Sequence, residues 1–253
     1  MSMLTAERRK IIIEKLQAEK KVIVSQLSDF FCVSDETIRR DLDRLCQEGL
    51  AIKSYGGAIL NDNAADLPFS VRKSHNLAEK QKISELVETL VKEGDSILLD
   101  ASTTAVFVAK ALKRKKRLTV ITNSIEVMLE LADMRDWTVI STGGQLMGDY
   151  LAFGGQRASL EISSIYADKL IFSCQGLDVE RGIFDSNDDL AQLKCMMLKS
   201  SKIKILAVDS SKFGKNSFSK IANISDIDIV VTDAIPDKGW IECFSNHHVE
   251  FYC

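Results

Sequence analysis

Along the first sixty residues the apolar positions fall at helical spacing and then switch to strand spacing. Ile12 and Leu16 lie four apart in a segment that Thr5 opens as an N-cap and that runs to Ala18. Behind Ser25, read as a second cap, Leu27, Phe30 and Phe31 recur at i, i+3 and i+4. Cys32-Val33 forms a tight connection. Ser34 then caps a third helix with Asp35 and Glu36 in its first turn, where the helix dipole favours acidic groups. Ile38, Leu42 and Leu45 form its apolar stripe, and Gly49 stops it in the manner of a C′ glycine. From Leu50 to Leu60 apolar and polar residues alternate around Gly56-Gly57, which predicts a two-stranded hairpin. Three short helices and a hairpin are the element pattern of a winged helix-turn-helix, assigned to residues 1–60.

Residues 61–76 are assigned to a linker, because the stretch from Asn61 is polar and ends in Pro68, one of two prolines in the chain. From Leu77 to the end, 77–253, apolar helices alternate with short apolar strands. Ile83, Leu86, Val87, Leu90 and Val91 make a helical stripe, Gly94 stops it, and Ser96 to Asp100 reads as a buried strand. The alternation continues with helix Thr104 to Leu112, strand Leu118 to Thr122, helix Ser124 to Ala132 and strand Trp137 to Ser141. Later come strand Lys169 to Phe172, helix Asn187 to Lys199, and strands Ile203 to Val208 and Ile227 to Val231. Such a pattern predicts an α/β domain with a mostly parallel sheet covered on both faces.

Composition narrows the function classes. With 253 residues, 45% of them hydrophobic, the chain can bury a sizeable core and more than one folding unit. The net charge is only −3, so any nucleic-acid contact must be local. Residues 1–60 hold 10 Lys and Arg against 9 Asp and Glu, while the remainder holds 23 against 27. No apolar stretch approaches the roughly 20 residues that span a bilayer, and the first ten residues turn polar at once, so a cytoplasmic protein is expected. Six scattered cysteines without a C-x-x-C pair read as reduced thiols. Three histidines, His75, His247 and His248, supply a zinc site poorly, and neither a metal nor a cofactor is expected. The basic run Lys113 to Arg117 ends a helix, where cations suit the dipole, and is read as solvated surface. Trp137 and Trp240 are read as packing residues.

The polar face of the third helix carries Glu36, Thr37, Arg40, Asp43, Arg44 and Gln47. Arginine can bond guanine in two places and glutamine can do the same with adenine, so this face suits base edges and phosphates. An ordinary solvated helix with Glu36–Arg40 or Asp41–Arg44 ion pairs would show the same spacing. Asp41 lies beside the apolar stripe and is expected to orient Arg44 or an arginine of the first helix, Arg8 or Arg9. The string Val33-Ser34-Asp35-Glu36-Thr37-Ile38-Arg39-Arg40-Asp41-Leu42-Asp43-Arg44-Leu45, with Gly49-Leu50 and Tyr55-Gly56-Gly57-Ala58, closely resembles the signature of the DeoR family of bacterial transcription regulators. That resemblance implies a recognition helix in operator DNA, with Ser34, Glu36, Thr37, Arg39, Arg40, Arg44 and Gln47 on the helix and Lys53 and Tyr55 on the wing. The family commonly has Arg and His at those two wing positions, and Lys53 meets phosphate as a point charge rather than a bidentate fork.

Loops at predicted strand ends carry small and polar residues: Asp100 to Thr104, Thr122-Asn123-Ser124, Thr142-Gly143-Gly144 and Ser173 to Gly176. The first leads into a helix, whose N-terminal N–H groups can hold a phosphate; the simpler alternative is that Ser102 or Thr103 caps its own helix. These pieces, with Glu79-Lys80 and Asp209 to Gly214, resemble the DeoR C-terminal domain. The resemblance implies a fold related to ribose-5-phosphate isomerase and a phosphorylated sugar or related metabolite as effector. The expected effector residues are Lys80, Asp100, Ser102, Thr103, Thr104, Asn123, Ser124, Gly143, Gly144, Gln175, Gly176 and Lys212. Asp100 is expected to accept from sugar hydroxyls, and Lys80 and Lys212 to supply charge to the phosphate. Ala101, Ser173-Cys174 and Phe184-Asp185 depart from the family pattern and bear on which effector is bound. The alternative, a sugar-phosphate isomerase with an appended DNA-binding domain, lacks the Asp-Gly-x-Asp-Glu and Lys-Gly-Gly-Gly strings of those enzymes. The chain is thus expected to be a regulator, more often a repressor in this family, acting as a homo-oligomer because a single recognition helix makes few base contacts.

Overall fold

The computed structural model describes residues 5–47, 49–60 and 67–253. It divides into two compact units between Arg72 and Lys73. In the first, the helices are α1 (Thr5–Glu19), α2 (Val24–Phe31) and α3 (Asp35–Gln47). The wing strands are β2 (Ala51–Ser54) and β3 (Gly57–Leu60), turning at Tyr55-Gly56. A strand absent from the sequence reading, β1 (Lys21–Ile23), pairs antiparallel with β3 and makes the wing three-stranded, in the order β1-β3-β2. Three residues are too few to show periodicity, which is why β1 is illegible in the sequence.

This strand also displaces the expected cap of α2. Ile23 rather than Ser25 occupies the N-cap without a side-chain bond, and the Val24 N–H is taken by the Gly56 carbonyl of the wing at 2.9 Å. Gly57 makes the close pairing possible, since a Cβ there would lie 1.9 Å from the Val22 carbonyl oxygen. Phe30, spaced with Leu27 and Phe31 at helical intervals, is nevertheless 59% exposed; its ring stacks edge-on against Phe31 and lies under the Lys15 ammonium. The α3 stop is as expected: Gly49 has φ +72°, with Gly49 N–H to Cys46 O and Leu50 N–H to Leu45 O closing a Schellman motif.

Ile12, Leu16, Leu27, Ile38, Leu42, Leu45 and Ala58 fill the first core. Leu67 joins them, and Val71 packs against the cluster. Of the expected linker, residues 61–66 lie outside the described residues, while Phe69–Ser74 is a short helix, α4.

In the second unit α5 (Leu77–Leu90) leads to β4 (Ser96–Leu99), α6 (Thr103–Leu112), β5 (Thr119–Thr122), α7 (Ile125–Leu131) and β6 (Thr138–Ser141). After a hairpin of β7 (Gln145–Met147) and β8 (Ala152–Gly154) come α8 (Gly155–Ser163) and β9 (Ala167–Phe172). Strands β10 (Gly176–Asp178) and β11 (Gly182–Asp185) precede α9 (Asp188–Lys199), β12 (Ser201–Ala207), β13 (Ser219–Ala222), β14 (Ile229–Val231), α10 (Lys238–Asn246) and β15 (Glu250–Tyr252).

The main sheet runs β15-β14-β12-β9-β4-β5-β6, with every neighbouring pair parallel. Ile97, Leu98 and Leu99 are all fully buried, so β4 is covered on both faces, as an unbroken apolar run in a parallel strand requires. A separate antiparallel sheet, β10-β11-β13, was not legible in the sequence. His247 and His248 lie exposed in the turn after α10 rather than on a strand. The basic run is solvated and paired: Lys113 with Glu130 and Asp133, and Lys115 with Glu88. Trp240 packs edge-on against Phe213, and Trp137 is buried.

Candidate functional site

The first candidate surface is the outer face of α3 with the wing. Glu36, Arg39, Arg40, Arg44 and Gln47 are exposed along the helix, and Lys53 and Tyr55 are exposed on the hairpin, with Tyr55 at its tip. Ser34 is occupied by capping: its Oγ accepts from the Thr37 N–H at 3.3 Å and lies 2.9 Å from the Thr37 hydroxyl. Behind this face Asp41 is buried, taking Arg8 Nε at 2.6 Å on one oxygen and Arg9 Nε at 2.9 Å on the other. The carboxylate thereby locks α3 to α1 and fixes which side of α3 faces outward. Two exposed ion pairs lie on the outer face: Arg40 Nε with Glu36 at 3.3 Å and Lys53 Nζ with Asp43 at 2.8 Å.

The second site follows from topology. From β4 the chain proceeds through β5 and β6 on one side, whereas β9, on its other side, leads to β12, β14 and β15 in the opposite direction. The β4/β9 junction is therefore the switch point of the sheet, where loops leaving the carboxyl ends diverge and where sheets of this kind generally bind their ligands. Asp100 ends β4 there, and Ser173 ends β9.

Asp100 is fully buried and its acceptors are spent within the protein. One oxygen takes the Ser102 N–H at 3.2 Å and the Ser102 hydroxyl at 2.6 Å; the other takes the Ser173 N–H at 3.1 Å and faces Lys194 Nζ at 3.0 Å. This corrects the sequence expectation that Asp100 receives sugar hydroxyls: its geometry makes it an anchor for two loops. Ser102 Oγ in turn accepts from Ala105 N–H and caps α6, the simpler of the two roles foreseen for it. With Ala105 taken, the N–H groups of Thr103 and Thr104 open the helix without a protein acceptor among the described residues.

Lys194, on α9, was missed by the sequence reading. Its ammonium meets Asp185 at 2.6 Å, the Ser173 carbonyl at 2.7 Å and Asp100, which uses all three donors. Burial works against the ammonium, but the charges of Asp185 and Asp100 outweigh it and hold its pKa above the usual lysine value. The signal available in the sequence was weak: one lysine among the apolar positions of a helix near two strand-end aspartates. Cys174, beside Ser173, is buried and its thiol is pushed up to about 12 by desolvation, so it is inert as a nucleophile.

The other expected residues gather in two groups. Thr122 Oγ1 donates to Leu99 O and accepts from Ser124 N–H, and Ser124 Oγ caps α7. Asn123 is buried; its Nδ2 donates to Phe153 O at 3.0 Å, which orients the amide and leaves Oδ1 without a partner among the described residues. Gly144, at φ +113°, approaches the same β8 strand so closely that a Cβ would lie 2.4 Å from Gly154 O; Gly143 also adopts positive φ. On the second side Lys212 Nζ donates to Gln175 Oε1 at 2.9 Å, and a Cβ on Gly176 would lie 2.4 Å from the Lys215 carbonyl. Lys80 is buried on α5 and donates to the His75 carbonyl. Neighbouring Asn76 donates to Asp209 at 3.0 Å, tying the start of α5 to the turn that carries Lys212. A groove of about 420 Å³ beside β15, lined by Ile241, Ser245, Val249, Glu250, Phe251 and Tyr252, includes none of these residues.

A winged helix-turn-helix with an exposed basic recognition face, followed by an α/β unit with small polar loops at its switch point, defines a transcription regulator with a separate sensor. The DeoR-like helix-turn-helix domain matches residues 8–64 and the DeoR C-terminal sensor domain matches residues 75–234. The chain belongs to the DeoR family and is a DNA-binding transcriptional regulator. It is 40% identical to the uncharacterized HTH-type transcriptional regulator YulB of Bacillus subtilis, over 98% of this chain and 96% of that protein. It is 35% identical to the transcriptional repressor AccR of Agrobacterium fabrum, over 91% and 90%, and 30% identical to the glycerol-3-phosphate regulon repressor of Escherichia coli, over 96% and 97%. Ribose-5-phosphate isomerase A of Methanocaldococcus jannaschii overlays 53% of each chain at 13% identity and a TM-score of 0.39. The relatives are regulators, and the enzyme reading is set aside.

Proposed function

We propose that the protein is a cytoplasmic repressor of a sugar-metabolism operon, released from its operator by a phosphorylated sugar bound at the switch-point crevice. The observation that carries the effector class is the start of α6, where the Thr103 and Thr104 N–H groups have no protein acceptor among the described residues at the positive end of a ten-residue helix. Lys212 and Lys80 add positive charge, and the orphaned Asn123 oxygen offers an acceptor for a hydroxyl. Ser102, Asp100 and Lys194 shape the crevice from behind. Ser124, Gly143, Gly144, Gln175 and Gly176 complete its loops. On the DNA side, Arg40, Arg44, Thr37 and Gln47 meet base edges, Arg39, Lys53 and Tyr55 meet the backbone, and Ser34 and Glu36 set the start of α3. Two copies are required to read repeated half-sites, so the protein works as a homo-oligomer. Repression by glycerol-3-phosphate regulon and AccR-type relatives favours the negative sign.

A thermal-shift screen against phosphorylated hexoses, pentoses and polyols tests the effector class. A ligand at 100 times its Kd adds about 2.7 kcal/mol of stability. The unphosphorylated counterpart of each hit is expected to give no shift; equal shifts would overturn the phosphate site.

A further inference from the structure

The recognition face carries an acidic residue that the DNA-reading assignment does not use. Asp43 lies on α3 three residues after Arg40, on the outward side, with its side chain half exposed. Its Oδ1 lies 2.8 Å from Lys53 Nζ, and Lys53 sits on β2, so the pair bridges the recognition helix and the wing. Glu36 holds Arg40 in the same fashion within α3. A carboxylate on a surface facing a polyanion is unfavourable unless it acts through a neighbour. Lys53 is that neighbour, and hydrogen bonding to Asp43 holds its ammonium above the usual lysine value.

We propose that Asp43 restrains DNA binding by holding the Lys53 ammonium against the recognition helix, so that the wing lysine reaches DNA phosphates only by breaking this ion pair. This rests on α3 and the wing facing DNA. Non-specific affinity is nearly all phosphate neutralisation, and each Lys that engages a phosphate steepens the salt dependence by roughly 0.9 in log K against log salt. A lysine already neutralised by a carboxylate releases no counterion on meeting a phosphate, and its partner must be left unpaired in the field of the DNA. Withholding one such contact weakens binding to every duplex alike, the operator included, and so sets the overall affinity and salt sensitivity of the regulator rather than the ratio between sites.

The test uses the full chain and a fluorescein-labelled mixed-sequence duplex, titrated across a range of salt concentrations. Asp43→Asn is expected to bind roughly fivefold tighter at low salt and to steepen the salt slope by about one. In a Lys53→Met background the same Asp43→Asn change is expected to leave affinity and slope as they are. If the gain persists without Lys53, Asp43 is a plain repelling charge and the proposal is overturned; it is also overturned if Asp43→Asn alone binds no tighter. A wild-type chain that fails to bind the duplex at low salt would instead overturn the DNA-facing placement itself. Lys53 is largely exposed and Asp43 half exposed, so matching thermal midpoints will show that the variants fold.

Discussion

The ammonium of Lys194 lies 3.0 Å from the Asp100 carboxylate that ends β4, although the two residues are 94 positions apart in sequence and both are buried. Through Asp185 and the Ser173 carbonyl the same ammonium also holds the loops after β11 and β9. The switch point is thus framed by a single cation shared between two carboxylates and a backbone oxygen.

Replacing that cation strands two buried carboxylates. Lys194→Met is expected to destabilise the second unit by about 3–5 kcal/mol, the usual cost of leaving a buried charge unpaired, and Asp185→Asn in the same chain should recover part of it. Urea unfolding followed by tryptophan fluorescence reads both, since Trp137 and Trp240 lie in this unit. Because the folded pKa of Lys194 is raised, its contribution is complete below the unfolded lysine value and is lost as pH rises through the folded one. The difference between parent and Lys194→Met should therefore be constant near neutrality and shrink only at strongly alkaline pH.

Asp41 makes a comparable bond in the first unit. Asp41→Ala leaves Arg8 buried without its carboxylate and is expected to destabilise this unit by about 3 kcal/mol. Proteolysis of the full chain should then show early cleavage in the winged-helix unit while effector-dependent stabilisation of the sensor is retained.

Arg40 projects from the middle of the DNA-facing side. Arg40→Ala is expected to cost roughly 1–3 kcal/mol on operator DNA and to relax preference at one base position. Titrations on operator and scrambled duplexes compare the two, and an unchanged operator affinity would remove Arg40 from the groove.

Thr103→Pro, which removes the N–H at a first helical position that tolerates proline, and Lys212→Ala are expected to weaken effector binding at least tenfold, the scale of one lost charge-assisted hydrogen bond. Operator binding without effector should be unaffected, because DNA is read by the other unit. Calorimetry with the best ligand of the thermal-shift screen decides the first point and gel shifts the second.

The cysteines should separate by reactivity. At pH 8, iodoacetamide is expected to modify exposed Cys32 in the native protein and to leave Cys174 untouched until the chain is unfolded, since burial pushes the Cys174 thiol up to about 12. Peptide mass mapping before and after denaturation measures it.

The sequence by itself determined the elements whose apolar spacing repeats over several turns and the loops whose residue types are unusual. The stripe Ile38, Leu42, Leu45 fixed the outward face of α3, Gly49 fixed its end, and unbroken apolar runs such as Ile97 to Leu99 fixed a parallel sheet covered on both sides. The small polar loops at strand ends were visible for the same reason: capping and ligand-holding both draw on Ser, Thr, Asn and Gly. Tertiary structure decided what those polar groups do. Asp100 looked like a ligand acceptor because its chain neighbours are hydroxyl residues; only the approach of α9 and β9 brings Lys194 and the Ser173 N–H to fill its oxygens. Strand β1, three residues long, exists because β3 offers it a free edge, and the cap of α2 went to a wing carbonyl for the same reason. Periodicity is a property of one segment facing one core and can be read from that segment. A hydrogen-bond partner is a property of whichever distant segment the fold brings within 3 Å, and no local pattern encodes it.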